Sequence, residues 1–171
     1  MKSAEYKGQI WSLDFFSVSL TMILMLMLFI FTWNSFAIRW SNIKSYDELW
    51  SAGLSASEAL VTTPGQPYAW EDFQTINDSN VETFGFVNSR NIIDNNKLSK
   101  FANTTSGNYT FVKNKLGLVR YNFFINITDM EKQNTYYQIG NKATPLNESV
   151  VFERLMLLNG SIVNLKMEVW K

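Results

Sequence analysis

The feature that most constrains this chain is a long apolar run near its N-terminus. Between Asp14 and Arg39 there are twenty-four consecutive residues without an Asp, Glu, Lys or Arg. As an α-helix rising about 1.5 Å per residue, this run would be roughly 36 Å long, which is enough to cross a bilayer. A secretory signal peptide usually has an apolar core of only about 7 to 15 residues before its cleavage site. We therefore predict a retained transmembrane helix.

The charges that flank the run predict its orientation. Lys2 and Lys7 precede it with only Glu5 opposing them, and short positive flanks stay in the cytoplasm. Arg39 and Lys44 on the far side weaken this bias, although basic side chains at a helix end can reach the head groups. The prediction is a single-pass cell membrane protein with a cytoplasmic N-terminus and an extracellular C-terminal domain.

Composition excludes several functions. The chain has 15 Lys and Arg residues and 15 Asp and Glu residues, so no basic surplus points to nucleic acid as a partner. It has no Cys and no His, which removes disulfides, thiol nucleophiles, imidazole bases and the usual zinc and haem ligands. The adjacent acids Glu71 and Asp72 raise carboxylate catalysis or calcium binding, but neighbours in an extended segment do not share a face. We predict no enzyme activity, no cofactor and no metal site.

Past the apolar run, helical periodicity continues. Apolar residues recur at three- and four-residue steps, so the helix should extend with one buried face to about Leu60, with Gly53 as a weak point. The residues predicted on that face are Trp40, Ile43, Tyr46, Trp50 and Leu54. The segment 61–67 should end the helix, because its two prolines and glycine cannot propagate one. Short elements are predicted at 81–87 (strand), 91–102 (helix), 109–116 (helix) and 121–128 (strand).

The last part of the chain predicts a β-hairpin. Two apolar runs, 150–158 and 161–170, flank Asn159-Gly160, and both turn residues tolerate positive φ. Apolar and polar residues alternate in the second run, so one face should be buried and the other wet. Glu153 and Arg154 should form a cross-strand charge pair. The predicted fold is α+β: a long N-terminal transmembrane helix that extends into a small domain with an antiparallel sheet and short helices.

Sequons occur only after the apolar run. Six Asn-X-Ser/Thr triplets are candidate acceptors for N-glycosylation, modestly more than an Asn-rich chain gives by chance. They begin at Asn77, Asn103, Asn108, Asn126, Asn147 and Asn159. Their placement predicts a glycoprotein whose C-terminal domain is exported.

The leader carries a resemblance to a known family. Lys7-Gly8-Gln9, followed directly by a long apolar helix that contains Asp14, resembles archaeal type IV pilin-like proteins with a class III signal peptide. In that family a prepilin peptidase cuts just ahead of a glutamine on the cytoplasmic side. The resemblance implies a leader at 1–8, a cut between Gly8 and Gln9, a transmembrane and assembly helix at 9–40 and an extracytoplasmic α+β domain at 41–171.

Two further stretches are similar to that family. Thr63-Pro64-Gly65-Gln66-Pro67 with Trp70-Glu71 resembles its Thr-Pro-Gly-X-Pro-X-X-Trp signature, and the stretch from Phe152 to Trp170 resembles its C-terminal hairpin. One position departs from the pattern. The acidic residue of many type IV pilins is fifth after the cut, whereas Asp14 would be sixth.

Asp14 and the proline-rich loop each have two interpretations. A carboxylate near the apolar edge costs a few kcal/mol unless it is paired or reaches the interface. Asp14 could pair with the freed amine of Gln9 in a neighbouring subunit, or lie at head-group depth without a partner. Tyr68 and Trp70 could form a contact surface for another subunit or a glycan, although such tryptophans more often pack in the core.

Two functional hypotheses follow. The first is a pilin-like or pseudopilin-like structural protein of the cell surface, processed by prepilin peptidase and assembling through its N-terminal helix into a filament such as a pilus. Its partners would be the membrane, the peptidase and other pilin-like subunits. The alternative is a solitary membrane-anchored extracellular binding domain with an uncleaved signal anchor.

Overall fold

The computed structural model describes the backbone of residues 4–89 and 91–171, and the side chains of residues 13–41, 43–89 and 91–171. The chain divides into two compact units, Met1–Tyr46 and Asp47–Lys171. In chain order the elements are helix α1 (Ala4–Thr62), strand β1 (Gly65–Gln66), a 3₁₀ helix (Trp70–Asp72), strands β2 (Thr83–Phe84), β3 (Val87–Ser89) and β4 (Ile92–Ile93), helices α2 (Asn95–Gly107) and α3 (Tyr109–Lys115), and strands β5 (Asn122–Asp129), β6 (Thr135–Gly140), β7 (Ser149–Leu158) and β8 (Ser161–Trp170).

The second unit is built on a six-stranded sheet with the order β3-β4-β7-β8-β5-β6, and β1 and β2 form a separate pair. The predicted antiparallel sheet is present, but β4 makes it mixed because it pairs in parallel with the end of β7 through Ile92 and Ile93. A long apolar helix followed by a sheet-rich domain confirms the α+β class.

The C-terminal hairpin confirms its prediction. Strands β7 and β8 pair over ten residues each, and Asn159 and Gly160 both have positive φ, at 51° and 82°. The inward side chains of β8 are fully buried, namely Val163, Leu165, Met167 and Val169. The opposite face is less wet than predicted. Asn164 is only 7 % exposed there, because Thr128 and Leu155 lie opposite it on the neighbouring strands.

Within the second unit, helix α1 buries only part of the predicted face: Leu54 packs against the core, partly buried, but Trp50 departs from the prediction. Leu49, Ala56 and Leu60 are buried, whereas Trp50 is 47 % exposed. The reason is Gly53, which is buried in the helix and is no weak point. A Cβ at this position would lie 2.5 Å from the Phe152 ring, so the glycine lets the helix approach the sheet closely.

Aromatic side chains fill the space between the inner face of the sheet and the helices. The ring of Phe84 meets the rings of Trp70, Phe101 and Phe111 edge-on, at centroid distances of 5.0, 5.3 and 6.0 Å. Edge-to-face packing suits the quadrupoles of aromatic rings. This cluster anchors the proline-rich loop to α2 and α3.

Other predicted elements are found with shifted bounds. Helix α3 and strand β5 agree with the predictions at 109–116 and 121–128. The strand predicted at 81–87 is two short strands, and the helix predicted at 91–102 begins only at Asn95. Asp94 is its N-cap, since the Asp94 side chain accepts hydrogen bonds from the main-chain N–H groups of Asn96 and Lys97. Strand β6 was not predicted.

Candidate functional site

In the first unit, α1 presents an apolar surface. The large apolar side chains between Leu13 and Ile38 are all exposed, and the most apolar window of the helix has a mean hydropathy of 2.3 with none of it buried. By length and composition this helix can cross a membrane, and it lies near the N-terminus of the chain.

Three hydroxyl side chains within the run are satisfied by the helix itself. The hydroxyl of Thr21 donates to the Ser17 carbonyl at 2.8 Å, that of Thr32 to the Leu28 carbonyl at 2.9 Å and that of Ser35 to the Phe31 carbonyl at 3.0 Å. Hydroxyls bonded in this way can lie in hydrocarbon without an unpaired donor. These residues are therefore compatible with a membrane span.

Aromatic side chains concentrate at the end of the run that carries Arg39. Phe29 and Trp33 stack with ring centroids 6.2 Å apart, and Phe36 and Trp40 stack at 5.9 Å. Tryptophan is enriched where a span meets the membrane interface, because its ring is apolar and its N–H is polar. This end of the helix is thus suited to a membrane boundary.

Asp14 is the charged residue at the other end of the run. Its side chain is exposed, and no ion pair or hydrogen bond joins it to another side chain of the part that the structure describes. Gly8 and Gln9, the predicted processing site, lie outside the residues whose side chains are described. The pairing of Asp14 with Gln9 therefore stays a prediction.

The proline-rich loop is a packing element. Trp70 is fully buried, and its Nε1 donates to the carbonyls of Pro64 at 3.0 Å and Gly85 at 3.3 Å. Trp70 therefore belongs to the core, the second of the two interpretations given for it. Tyr68, at 59 % exposed, is the part of that predicted surface that faces solvent.

Lys97 on α2 holds the proline-rich loop through hydrogen bonds, a role that was not predicted from the sequence. Its side chain is fully buried, and Nζ donates to the carbonyls of Pro64 and Tyr68, both at 2.7 Å. Nζ also lies 3.8 Å from Oε2 of Glu71 and 4.6 Å from the Tyr68 ring centroid. A buried ammonium needs such partners because its desolvation is costly.

Glu71 and Asp72 do not form a shared carboxylate site. Glu71 turns inward toward Lys97, whereas Asp72 is exposed. Within the described residues, no group of three or more Asp and Glu side chains is arranged to hold a metal ion. Glu71 is therefore the partner of Lys97 in a structural ion pair.

Glu153 and Arg154 do not pair across strands. Adjacent residues of a strand point to opposite faces, and Arg154 reaches α1, where its Nη2 lies 2.6 Å from Oε1 of Glu58. Glu153 lies 3.8 Å from Lys132 on the opposite face. Both pairs are partly exposed, so each should contribute at most about 1 kcal/mol.

The six sequons differ in access. Asn126 lies on β5, an interior strand of the sheet, and its buried Oδ1 has no hydrogen-bond partner among the described groups. The Asn147 amide donates to the Lys171 carbonyl, while Asn77 and Asn108 accept main-chain N–H groups. The two remaining acceptors, Asn103 and Asn159, are exposed. Thr105, which completes the Asn103 triplet, is buried, so Asn159 at the hairpin tip is the most accessible candidate.

No protein-family model matches the chain, and neither a curated protein nor a solved structure shows significant similarity to it.

Proposed function

We propose that this chain is a pilin-like or pseudopilin-like protein of an archaeal cell surface, anchored in the membrane and assembled with other pilin-like subunits through its N-terminal helix. The observation that carries the proposal is the surface of α1 between Phe15 and Ile38. This surface is uncharged and exposed along its length, and the hydroxyls of Thr21, Thr32 and Ser35 donate to carbonyls of the same helix. A helix of this kind is stable either in lipid or against other apolar helices.

The proposed maturation rests on the resemblance of the leader to a class III signal peptide. Prepilin peptidase removes residues 1–8 on the cytoplasmic side and leaves Gln9 as the new N-terminus. The freed amine is then available to a carboxylate such as Asp14 of a neighbouring subunit. Within a bundle of apolar helices this pair would satisfy two charges that lipid would not.

The second unit is the exported part. In this orientation it lies outside the cell, where the exposed sequon at Asn159 can be glycosylated. The buried Trp70 and Lys97 support a structural role for the proline-rich loop. The chain is then a substrate of the peptidase and a building block, and it catalyses nothing itself.

The first experiment determines the N-terminal residue of the mature protein, by intact mass or N-terminal peptide analysis of membranes that contain the peptidase. We expect a chain that begins at Gln9, and loss of processing in Gly8→Leu. Ala4→Leu, which leaves the scissile bond unchanged, is the matched control and should be processed normally. A wild-type chain that keeps residues 1–8 would refute the proposal.

Assembly has a separate test. A cysteine at Leu13, which is exposed beside Asp14 on α1, should form disulfide-linked dimers in native membranes because neighbouring helices pack there. Asp14→Asn in the same background should reduce the yield. A protein that stays monomeric with an intact leader would instead be the solitary, uncleaved anchor with an extracellular binding domain.

A further inference from the structure

The second unit leaves one edge of its sheet open along β7. Strand β4 pairs only with Leu157 and Leu158 at the end of β7, and the main-chain N–H of Leu157 donates to the Asn91 carbonyl at 2.8 Å. Main-chain groups alternate in direction along a strand. Those of Val151, Glu153 and Leu155 therefore point the same way as those of Leu157, toward an edge where no described strand pairs with them.

A groove runs beside this edge. It has a volume of about 590 Å³ and lies between β7, the end of α1 and the segment that contains β3. Arg154 partly covers the open edge of β7, since its Nη1 donates to the Glu153 carbonyl at 3.1 Å. A carbonyl oxygen has two lone pairs, so this one can still accept a second hydrogen bond.

Strand β6 forms the opposite edge of the same sheet. The Asn141 N–H donates to the Phe123 carbonyl at 3.1 Å, and Ile139 pairs with Ile125, so these residues face β5. The main-chain groups of Gln138 and Gly140 therefore point outward. The segment Thr135–Gly140 has no charge and no proline, the two devices that commonly protect an exposed edge.

The two edges are complementary between identical copies. In the block β6-β5-β8-β7 every neighbouring pair is antiparallel, so β6 and β7 run in opposite directions. Moving a copy sideways, without turning it, places its β6 antiparallel to β7 of the first copy. Copies anchored in one membrane by parallel helices keep a common orientation, and for this point alone the inference rests on the proposed function.

We infer that the second unit joins a second copy of this chain by antiparallel pairing of β6 with the open edge of β7. In the register that centres the two free segments, Gln138 lies opposite Glu153. Tyr136 and Leu155, both exposed, then lie opposite each other and bury apolar surface. Beyond the end of β6, Lys142 comes beside Glu148, whose carboxylate also pairs with Lys171 of its own copy at 2.7 Å.

This contact is heterologous, because each copy uses a different surface toward each neighbour. Such contacts propagate into open arrays instead of closing into dimers. The main-chain hydrogen bonds give the attraction, and the flanking side chains set the register. Continuous pairing of this kind would link the second units into a ribbon.

Disulfide trapping tests the register, since the chain has no cysteine of its own. Directly opposed residues in a hydrogen-bonded antiparallel pair have Cα atoms about 5.5 Å apart, within the range of a disulfide. Full-length chain with Gln138→Cys and Glu153→Cys, oxidised in membranes, should give a ladder of linked multimers. The matched control carries Gln138→Cys and Val119→Cys, because Val119 is exposed but lies on neither edge.

We expect at least about tenfold more multimer from the Glu153 variant than from the control, because pairing raises the local concentration of the two thiols. Equal yields would overturn the inference. Dimers from Gln138→Cys alone would also overturn it, since they require β6 to pair with β6.

A proline variant separates pairing from folding. Gln138→Pro removes an N–H that points away from β5, so the fold should tolerate it as edge strands tolerate proline. A second cysteine pair, Tyr136→Cys with Leu155→Cys, is opposed in the same register and leaves position 138 free. Gln138→Pro added to this second pair should abolish the ladder, while the thermal unfolding curve of the chain stays near wild type. A ladder that survives this change would refute the pairing.

Processing is read on the same samples by N-terminal mass. A ladder from chains that keep residues 1–8 would refute maturation and leave the pairing intact. Processed chains without a ladder would refute the pairing and leave maturation intact.

Discussion

Lys97 is the residue that most directly couples the proline-rich loop to α2. Replacing it with Met keeps the apolar stem but removes the ammonium that serves the carbonyls of Pro64 and Tyr68 and faces Glu71. We expect Lys97→Met to lower the free energy of unfolding by about 2 to 4 kcal/mol, because it leaves Glu71 as a largely buried acid without its cation. Denaturant unfolding followed by tryptophan fluorescence measures this.

Lys100 provides the matched control on the same helix. Its Nζ lies 3.5 Å from the Gln74 carbonyl near the surface, so Lys100→Met should change the stability by no more than about 0.5 kcal/mol. Equal effects from the two variants would mean that burial of the Lys97 charge adds nothing to the loop.

Gly53 sets the distance between α1 and the sheet. A Cβ there would lie 2.5 Å from Cε2 and 3.2 Å from Cζ of Phe152, so Gly53→Ala should destabilise the fold by about 1 to 3 kcal/mol. Phe152→Leu in the same chain should recover part of this loss, because the two positions are in contact. Thermal unfolding of the single and double variants measures the coupling.

Gly107 tests whether the effect is steric. No atom lies within 4 Å of a Cβ built at Gly107, so Gly107→Ala should be neutral or stabilise the chain by up to about 1 kcal/mol. If Gly53→Ala were equally harmless, the helix would not be held against the sheet as described.

At the scale of elements, the turn between β5 and β6 depends on Asp129. Its carboxylate accepts hydrogen bonds from Gln133 N at 2.8 Å, Asn134 N at 3.1 Å and Asn134 Nδ2 at 2.8 Å. Desolvation raises the pKa of Asp129, but the hydrogen bonds from Asn134, Gln133 and Lys132 together outweigh it and leave the pKa below its usual value.

The sign of the pH dependence follows from this lowered pKa. The stabilisation of the β5–β6 turn by the Asp129 carboxylate is present above the unfolded-state pKa, about 3.9 for Asp. It is lost as the pH falls through the lower folded-state pKa of Asp129. We expect hydrogen-exchange protection of the β6 amides, corrected for intrinsic rates, to fall below about pH 4. Asp129→Asn should lose much of that protection already at neutral pH, whereas Asp72→Asn should behave as wild type. Unchanged protection in Asp129→Asn would contradict the prediction.

The pattern of neighbouring residues in the sequence predicted those elements that depend mainly on neighbouring residues. The hairpin was predictable because Asn159 and Gly160 both suit positive φ and the flanking strands alternate. Strand β6 carried a usable signal as well, since Tyr136, Tyr137 and Ile139 have high β-propensity after a polar turn. It was missed because the run is only six residues long.

Packing decided what local patterns could not. The buried face of α1 includes Gly53 and Ala56, which add little hydrophobic signal but allow close approach, whereas the larger Trp50 stays exposed. The burial of Lys97 depends on carbonyls that lie 33 and 29 residues away in the chain. Neither fact is visible in the spacing of neighbouring residues. Processing at Gly8 and assembly through Asp14 still rest on resemblance.

At the scale of the whole molecule, apolar residues have two separate uses. In the first unit they are exposed on α1 from Leu13 onward, where lipid or other helices can cover them. In the second unit they form a closed core, and every described member of that core lies at or after Leu49. The first 46 residues therefore contribute no described side chain to the core that stabilises the second unit.

This division predicts that a fragment of residues 47–171 folds alone. It keeps Leu49, Ala56 and Leu60 in the core and loses the exposed apolar surface of α1. We expect a water-soluble protein that unfolds cooperatively and shows near-ultraviolet circular dichroism from its buried aromatic residues, such as Trp70 and Phe84. A fragment of residues 65–171 is the matched control. Without the end of α1 it exposes Phe152 and the inner face of the sheet, so it should aggregate or remain unfolded. If the longer fragment also failed to fold, the core residues of the second unit would be insufficient, and its stability would depend on residues 1–46.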